Sequence, residues 1–199
     1  MINPKTNSIL DEGNRLFLKG KLKEAIFYYD KILNENPKNI SSLNNKGYAL
    51  SKLKDYENAM KCYDAALHIS PDDLSVQINK ISSLRKQGNF TKALSLCDKI
   101  LKINPKYNIV LYHKERILFS MDKFDDSILC CNSILSEYPN NGDVLFDKSC
   151  NLVMLSNIDE ALNYLENAIS QGPQYKVKAK KSKLFEKLSD NSRFQKLIL

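Results

Sequence analysis

The sequence predicts an all-α fold of five stacked helical hairpins, and three observations support this prediction. Five prolines recur every 34 residues without insertion or deletion, and a fixed period of this length is typical of repeat proteins. Apolar residues recur in the same register and follow helical spacing within each repeat. Short breaks such as "KGK" at 19–21 and "KQGNF" at 86–90 favour a turn inside the repeat. The prolines are Pro37, Pro71, Pro105, Pro139 and Pro173.

Three columns of the repeat predict how each hairpin packs. The column 21 residues before the proline is always leucine: Leu16, Leu50, Leu84, Leu118 and Leu152. The column 12 residues before it holds a small residue, where a larger one would force the two helices apart: Ala25, Ala59, Ala93, Ser127 and Ala161. The column eight residues before it fills the space beside that crossing: Tyr29, Tyr63, Cys97, Cys131 and Leu165.

The ends of the helices are also predicted by the repeat. Proline ends the second helix because it lacks a backbone donor and restricts the residue before it. Asn39, Asp73 and Asn141 lie two residues after their prolines and are predicted to cap the next helix. One hairpin cannot bury its own apolar face, so the hairpins are expected to stack on their neighbours.

These features resemble those of the tetratricopeptide repeat (TPR). The segment "NNKGYALSKLKDYENAMKCYDAALHISP" at 44–71 carries the glycine, the small alanine, the aromatic residue and the closing proline of that family. The resemblance implies a right-handed α–α superhelix with five repeats over 6–173, followed by a basic helical cap over 174–199. The repeats are predicted at 6–39, 40–73, 74–107, 108–141 and 142–173. The early glycine is kept as Gly13 and Gly47 but replaced by Ile81, Glu115 and Ser149.

The resemblance also implies a site. In TPR proteins the first helix of each repeat lines a concave groove that binds an extended or helical peptide of a partner protein. The corresponding residues are Asn14, Asn45, Tyr48, Lys52, Asn79, Ser82, Lys86, Tyr112, His113, Arg116 and Asp147. Phe146 and Cys150 occupy groove positions of the fifth repeat as well. Asparagine can pair with a peptide backbone, and tyrosine and arginine are common interface anchors; a solvated helix face is the alternative for each residue.

One TPR subfamily grips the acidic tails of heat-shock chaperones with a dicarboxylate clamp. Its five positions correspond here to Leu10, Asn14, Asn45, Ser75 and Asn79. Both asparagine positions match, but the three cationic positions are lost. Binding of chaperone tails through this clamp is therefore not predicted.

The positive charge is concentrated near the end of the sequence. Of the formal net charge of +7, residues 174–199 contribute eight basic residues against two acidic ones. Lys176, Lys180, Lys183 and Lys187 would form one stripe if this segment is helical, with Val177, Leu184 and Leu188 opposite. The segment is interpreted as a cap over the fifth repeat, because "FEKLSDNSRFQKLIL" resembles the closing segment of many prokaryotic TPR proteins. The alternative is an electrostatic site for nucleic acid, acidic protein or anionic lipid. Nucleic acid is disfavoured, since no aromatic residues alternate with the lysines.

Catalysis, cofactors and metals are not predicted. The sequence has no G-x-S-x-G elbow, no phosphate-binding glycine loop and no H-E-x-x-H helix. A Cys150–His113 dyad can be imagined, but nothing in the sequence orients it. The five cysteines form no C-x-x-C pair, and His68 and His113 lie at no zinc spacing. We expect the cysteines to be thiols that fill the core.

The predicted function is that of a non-enzymatic adaptor that binds a peptide of another protein. No apolar run is long enough to span a membrane, and "MINPKTNSIL" lacks the pattern of a signal peptide. A cytoplasmic protein, monomeric or weakly dimeric, is therefore expected. Two alternatives stay open: an acidic-polymer binder that uses the lysine-rich segment, and a regulatory TPR module of a larger assembly. The second is hinted at by "INPK" at 2–5, which repeats the repeat ending at 103–106.

Overall fold

The computed structural model describes residues 4–199, and residues 2 and 3 of the "INPK" segment lie outside this range. Over the described residues the chain forms helices and turns with no strand. The five hairpins are α1 Pro4–Leu18 with α2 Leu22–Glu35, α3 Ile40–Lys52 with α4 Tyr56–Ile69, α5 Leu74–Lys86 with α6 Phe90–Ile103, α7 Asn108–Ser120 with α8 Phe124–Glu137, and α9 Gly142–Met154 with α10 Ile158–Gln171. They are followed by α11 Gln174–Lys181, a 3₁₀-helix Lys183–Leu188 and α12 Ser192–Ile198. The all-α fold of five hairpins with C-terminal helices is confirmed, whereas the exact division into 34-residue repeats stays a prediction.

The turn inside each hairpin has the same geometry in all five repeats. A residue shortly after the first helix lies in the left-handed region, at Gly20, Lys54, Gly88, Asp122 and Ser156. The next backbone N–H then donates to the carbonyl of the leucine column, as from Lys21 to Leu16 at 3.0 Å and from Asn157 to Leu152 at 2.9 Å. This closure satisfies carbonyls at the helix end. Only two of the five positions are glycine, so the other three repeats accept a strained backbone there.

The predicted caps are present between hairpins. Asn39, Asp73 and Asn141 each accept a side-chain hydrogen bond from a backbone N–H of the following helix, at 2.9, 3.0 and 3.2 Å. Such a bond satisfies one of the unpaired donors at a helix N-terminus and is worth about 1 kcal/mol. The repeat ending thus both stops one helix and starts the next.

The predicted packing columns form the core. All five members of the small-residue column are fully buried at 0% exposure, including Ser127. The column that begins with Tyr29 and Tyr63 is at most 1% exposed, and the leucine column is at most 9% exposed. The small residue therefore allows the two helices to approach, and the larger one fills the space beside their crossing.

The chain divides into two compact units, one ending at Leu96 and the other beginning at Cys97. In the N-terminal unit, successive helices from α1 to α5 contact one another, and α3 also contacts α1 and α5. Ion pairs join neighbouring hairpins there, from Lys46 to Asp30 at 2.5 Å and from Lys80 to Asp64 at 2.5 Å. First helices therefore lie beside first helices in this unit.

In the C-terminal unit, helices α7 to α10 contact one another in sequence. The same pairing recurs from Lys114 to Asp98 at 2.6 Å. In the last hairpin the acceptor column changes, and Lys148 donates to Asn132 Oδ1 at 2.6 Å. The signal for these contacts was present in the sequence as two columns of the 34-residue period.

The C-terminal helices cover the fifth hairpin. Their buried side chains join one core with α9 and α10: Tyr175, Ala179, Phe185, Leu188 and Phe194. The prediction that Val177 faces this core is wrong, because Val177 is 49% exposed. Between residues 4 and 199, no helix is both long and apolar enough to cross a membrane.

Candidate peptide-binding site

In the N-terminal unit the predicted site residues lie on the first helices of three hairpins. Asn14 belongs to α1, Asn45, Tyr48 and Lys52 to α3, and Asn79, Ser82 and Lys86 to α5. All seven side chains are half-buried or exposed. Because α3 contacts α1 and α5, we call the surface formed by these seven residues the first-helix surface.

Amide groups connect the helices across this surface. Asn45 Nδ2 donates to Asn14 Oδ1 at 2.8 Å, and Asn14 Oδ1 also accepts from Tyr29 Oη at 3.0 Å. One repeat further, Asn79 Nδ2 donates to Asn44 Oδ1 at 2.9 Å. These bonds hold the side chains of α1, α3 and α5 in fixed orientations. Their remaining amide atoms are available to a peptide backbone.

Tyr48 is the aromatic centre of the first-helix surface. Its ring lies 5.1 Å from that of Phe17, measured between centroids, with a tilt of 32°. Lys52 Nζ lies 5.5 Å and Lys86 Nζ 5.9 Å from the centroid of the Tyr48 ring. Two helices therefore bring one ammonium each to the same aromatic ring, within the range of cation–π attraction.

The positive charges at this ring interact unfavourably with one another. Desolvation lowers the pKa of the Lys86 ammonium, and the charges of Lys52 and Arg85 lower it further. Over the described residues, neither Lys52 nor Lys86 forms an ion pair. They differ in this from Lys46 and Lys80, whose charges are neutralised by aspartates of the preceding hairpin.

In the C-terminal unit the predicted residues lie on α7 and α9. Tyr112, His113 and Arg116 belong to α7, and Asp147 to α9. Arg116 Nη1 donates to Tyr112 Oη at 3.3 Å, and its guanidinium lies 5.3 Å from the Tyr112 ring centroid. Burial raises the pKa of the Tyr112 hydroxyl to about 12, so this hydroxyl stays protonated at neutral pH.

Asp147 lies deeper than a solvated helix face would place it. Its Oδ2 atom is buried and has no hydrogen-bond partner in the described part of the chain. Burial raises the pKa of Asp147 above its ordinary value, against the lowering effect of Arg116. Nearby Glu115 is 2% exposed and has a raised pKa, first because of burial and then because of the Asp147 charge. Sequence reasoning noted Glu115 only as a replacement for glycine and missed this buried acidic pair.

Two groove positions implied by the resemblance are corrected by the structure. Phe146 is 9% exposed, and the centroids of the Tyr175 and Phe185 rings lie 6.0 and 5.9 Å from its own. Cys150 is 6% exposed and belongs to the same core. The C-terminal helices cover both residues, so neither can contact a peptide.

The four lysines of the basic segment do not lie on one helix. Lys176 and Lys180 belong to α11, whereas Lys183 and Lys187 belong to the 3₁₀-helix. The helix ends at Lys181 because Ser182 caps the 3₁₀-helix, accepting a hydrogen bond from the Leu184 N–H at 3.3 Å. Lys187 Nζ donates to the Val153 carbonyl at 2.6 Å. The predicted single stripe is therefore wrong, and one of its members fastens the cap to α9.

The five cysteines are free and buried. Burial raises the pKa of every one of their thiols, for example to about 11 for Cys130 and about 12 for Cys97. A raised thiol pKa disfavours the thiolate, which is the nucleophile and metal ligand. Over residues 4–199 no group of three histidine, cysteine or acidic side chains could hold a metal ion.

Comparison with protein families gives two matches. The model described as "Tetratricopeptide repeat" matches residues 40–73. The model described as "Psidin, N-terminal TPR repeats region" matches residues 77–197, which is more than half of the chain. The two matches follow one another along the sequence and together include most of it.

Solved structures with the same fold include three TPR-like chains. YrrB, described as a TPR protein with an unusual peptide-binding site, matches with a TM-score of 0.65 and 18% identity over 87% of this chain and 91% of YrrB. A thermophilic TPR protein in Thermus thermophilus matches with a TM-score of 0.70 and 18% identity over 87% of this chain and 96% of that protein. MamA matches with a TM-score of 0.68 and 19% identity over 89% of this chain and 96% of MamA. At these identities the likeness concerns the fold.

The 34-residue period, the five hairpins with their buried small-residue column, and the family match over residues 77–197 agree with one another. The chain belongs to the tetratricopeptide repeat family.

Proposed function

We propose that this protein is a non-enzymatic scaffold that binds a peptide segment of a partner protein on its first-helix surface. TPR folds are interaction modules, and YrrB, which has the same fold, is described as having a peptide-binding site. The proposal for this chain depends on its own residues. Its central observation is the pair of amide contacts Asn45–Asn14 and Asn79–Asn44, at 2.8 and 2.9 Å.

These contacts are suited to hold an extended peptide. Each uses one atom of a side-chain amide and leaves the other atoms of that amide for a ligand. The amides lie on α1, α3 and α5, so a chain that crosses these helices would meet them in succession. The half-buried rings of Tyr48 and Phe17 beside them offer an anchor of the kind that dominates binding energies.

The basic segment supports a structural role better than a binding role. Its lysines are divided between two helices, and Lys187 bonds to Val153 O. The five free cysteines are consistent with a reducing compartment, and we propose a cytoplasmic location on that basis.

A selection experiment tests the proposed surface. Random peptides displayed on phage are selected on the purified protein and then measured against three variants. Asn45→Ala/Tyr48→Ala/Asn79→Ala should weaken the selected peptides by well over tenfold, as expected if one residue is a hot spot of about 2 kcal/mol. Lys176→Glu/Lys180→Glu/Lys183→Glu should leave them bound. Ser75→Ala/Lys92→Ala, at two exposed positions of the same unit, is the matched control.

The reverse pattern would overturn the proposal. If the selected peptides bind the triple surface variant normally and are lost with the lysine variant, the basic segment is the binding site. Thermal unfolding of each variant verifies that any lost binding does not reflect lost structure.

A further inference from the structure

The charge of the N-terminal unit favours a negatively charged partner. Up to Leu96 the sequence has 15 lysine and arginine residues against ten aspartate and glutamate residues. Most of these lysines lie on outer faces or pair with an acid. Lys52 and Lys86 instead converge on the first-helix surface, at the Tyr48 ring.

The convergence is built by the helices themselves. Lys52 follows Tyr48 by one turn of α3, and Lys86 lies in the last turn of α5. Both lysines are exposed, whereas the ring they flank is half-buried. The ring forms an apolar floor with an ammonium on either side. A carboxylate between the two ammoniums would relieve the repulsion that Lys52 and Arg85 exert on Lys86.

We infer that the surface at Tyr48, Lys52 and Lys86 binds an acidic peptide segment through at least two aspartate or glutamate side chains. This inference rests on the proposed function and specifies the class of peptide that the first-helix surface takes. The carboxylates pair with Lys52 and Lys86, while Asn45 and Asn79 bond to the peptide backbone between and beside them. Ammonium–carboxylate bonds are charge-assisted and are stronger than bonds between neutral groups.

Side-chain carboxylates fit better than a single terminal carboxylate. Lys52, Arg85 and Lys86 supply three positive charges from the last turns of two helices, and one terminal carboxylate would leave most of that charge unmatched. The positions also differ from the dicarboxylate clamp, since the corresponding cationic positions hold Leu10, Ser75 and Asn79. Recognition here depends on the ends of α3 and α5.

The test uses three fluorescently labelled peptides of equal length and the full chain. The first is acetylated and amidated and carries several glutamates around one phenylalanine. The second has glutamine at every glutamate position. The third has the glutamine sequence with a free C-terminal carboxylate. Fluorescence anisotropy at low salt measures the dissociation constant of each.

We expect the glutamate peptide to bind at least about tenfold more tightly than the other two. Lys52→Gln/Lys86→Gln should weaken its binding by about tenfold or more, and Lys52→Arg/Lys86→Arg should retain most of it. The control Lys23→Gln/Lys92→Gln removes the same charge from exposed positions of the same unit and should have little effect. Binding should also weaken as salt is added, because these charges are exposed.

Three results would overturn the inference. The first is that the peptides all bind alike or all fail to bind, and the second is that the free-acid peptide equals the glutamate peptide. The third is that the control weakens binding as much as Lys52→Gln/Lys86→Gln. The phage selection judges the proposed function separately. Selected peptides that lack acidic residues but depend on Asn45, Tyr48 and Asn79 would uphold the scaffold and reject the acidic partner.

Discussion

Gly47 lies against the ring of Tyr63, so closely that a Cβ atom on Gly47 would come 2.8 Å from Cε1 of that ring. The same relationship recurs between Gly13 and Tyr29, where the distance would be 2.7 Å. In the fifth repeat these two columns hold Ser149 and Leu165, and both are fully buried. A larger residue on the first helix is thus accompanied by a residue without a ring on the second.

Gly47→Ala should therefore lower the free energy of unfolding by about 1 kcal/mol. The new methyl group overpacks the core, typically at a cost of about 1–3 kcal/mol, which exceeds the gain of about 1 kcal/mol from replacing glycine in a helix. In a Tyr63→Leu background the space is free, and the same substitution should stabilise the protein. Urea unfolding of both single variants and the double variant gives the coupling energy. Additive effects would refute the contact.

The period explains why so much of the fold could be predicted. Each packing column occurs five times, so an ambiguous residue such as Ser127 or Cys97 is assigned by its counterparts in other repeats. The burial of Phe146 and Cys150 could not be predicted in this way. It depends on how residues after the last repeat fold back, and that segment has no counterpart in the sequence.

The candidate site was predictable to a similar extent. The period and the resemblance together selected the first-helix residues, and the structure brings Asn14, Asn45 and Asn79 onto neighbouring helices. The approach of Lys86 to Tyr48 was not predictable, because it joins side chains from two helices. Whether these residues bind a peptide stays a prediction.

Lys148 offers a test of the contacts between hairpins. It is 5% exposed, and its ammonium donates to Asn132 Oδ1 and to Tyr164 Oη, both at 2.6 Å. Earlier hairpins have aspartate at the acceptor position. Asn132→Asp should therefore stabilise the protein by about 1 kcal/mol, since it adds a charge-assisted bond to a lysine already in place.

Two variants check that explanation in urea unfolding. Asp98→Asn makes the opposite change at the Lys114 pair and should destabilise by a similar amount. Asn132→Asp combined with Lys148→Met should lose the gain. An equal gain with and without Lys148 would mean that the new aspartate acts elsewhere.

Glu115 predicts how stability depends on pH. Its Oε1 accepts hydrogen bonds from Ser127 Oγ at 3.0 Å and Asn151 Nδ2 at 3.2 Å, while Oε2 is buried without a partner among the described residues. Burial, and then the Asp147 charge, raise the pKa of Glu115 from 4.5 toward neutral pH. The folded state therefore holds a proton that the unfolded state releases at lower pH.

This difference has a definite sign. Between about pH 4.5 and 7 the folded state binds more protons at Glu115, so this residue makes stability fall as pH rises. Glu115→Gln should reduce that fall, and adding Asp147→Asn should reduce it further, because burial raises the pKa of Asp147 as well. Urea unfolding at several pH values measures this, with exposed Glu35→Gln as the control. Parallel profiles for wild type and Glu115→Gln would show that the carboxyl is not a source of the pH dependence.

The last prediction separates a structural cap from a charged binding segment. Phe185 is 1% exposed, its ring is stacked on that of Phe194 at 5.6 Å, and it also contacts Phe146 of α9. Phe185→Ala removes a ring from this core and should cost about 3–5 kcal/mol of unfolding free energy. Val177→Ala on the exposed side of α11 should cost less than about 1 kcal/mol.

The lysines complete the comparison. Lys176→Ala, Lys180→Ala and Lys183→Ala together should change stability little, because these side chains lie outside the cap core. Lys187→Ala should cost more than any one of them, since Lys187 Nζ bonds to Val153 O at 2.6 Å. Urea unfolding followed by circular dichroism measures all of these variants. If Phe185→Ala left the unfolding midpoint unchanged, the segment after α10 would not be a cap, and its charge would be the better explanation of its presence.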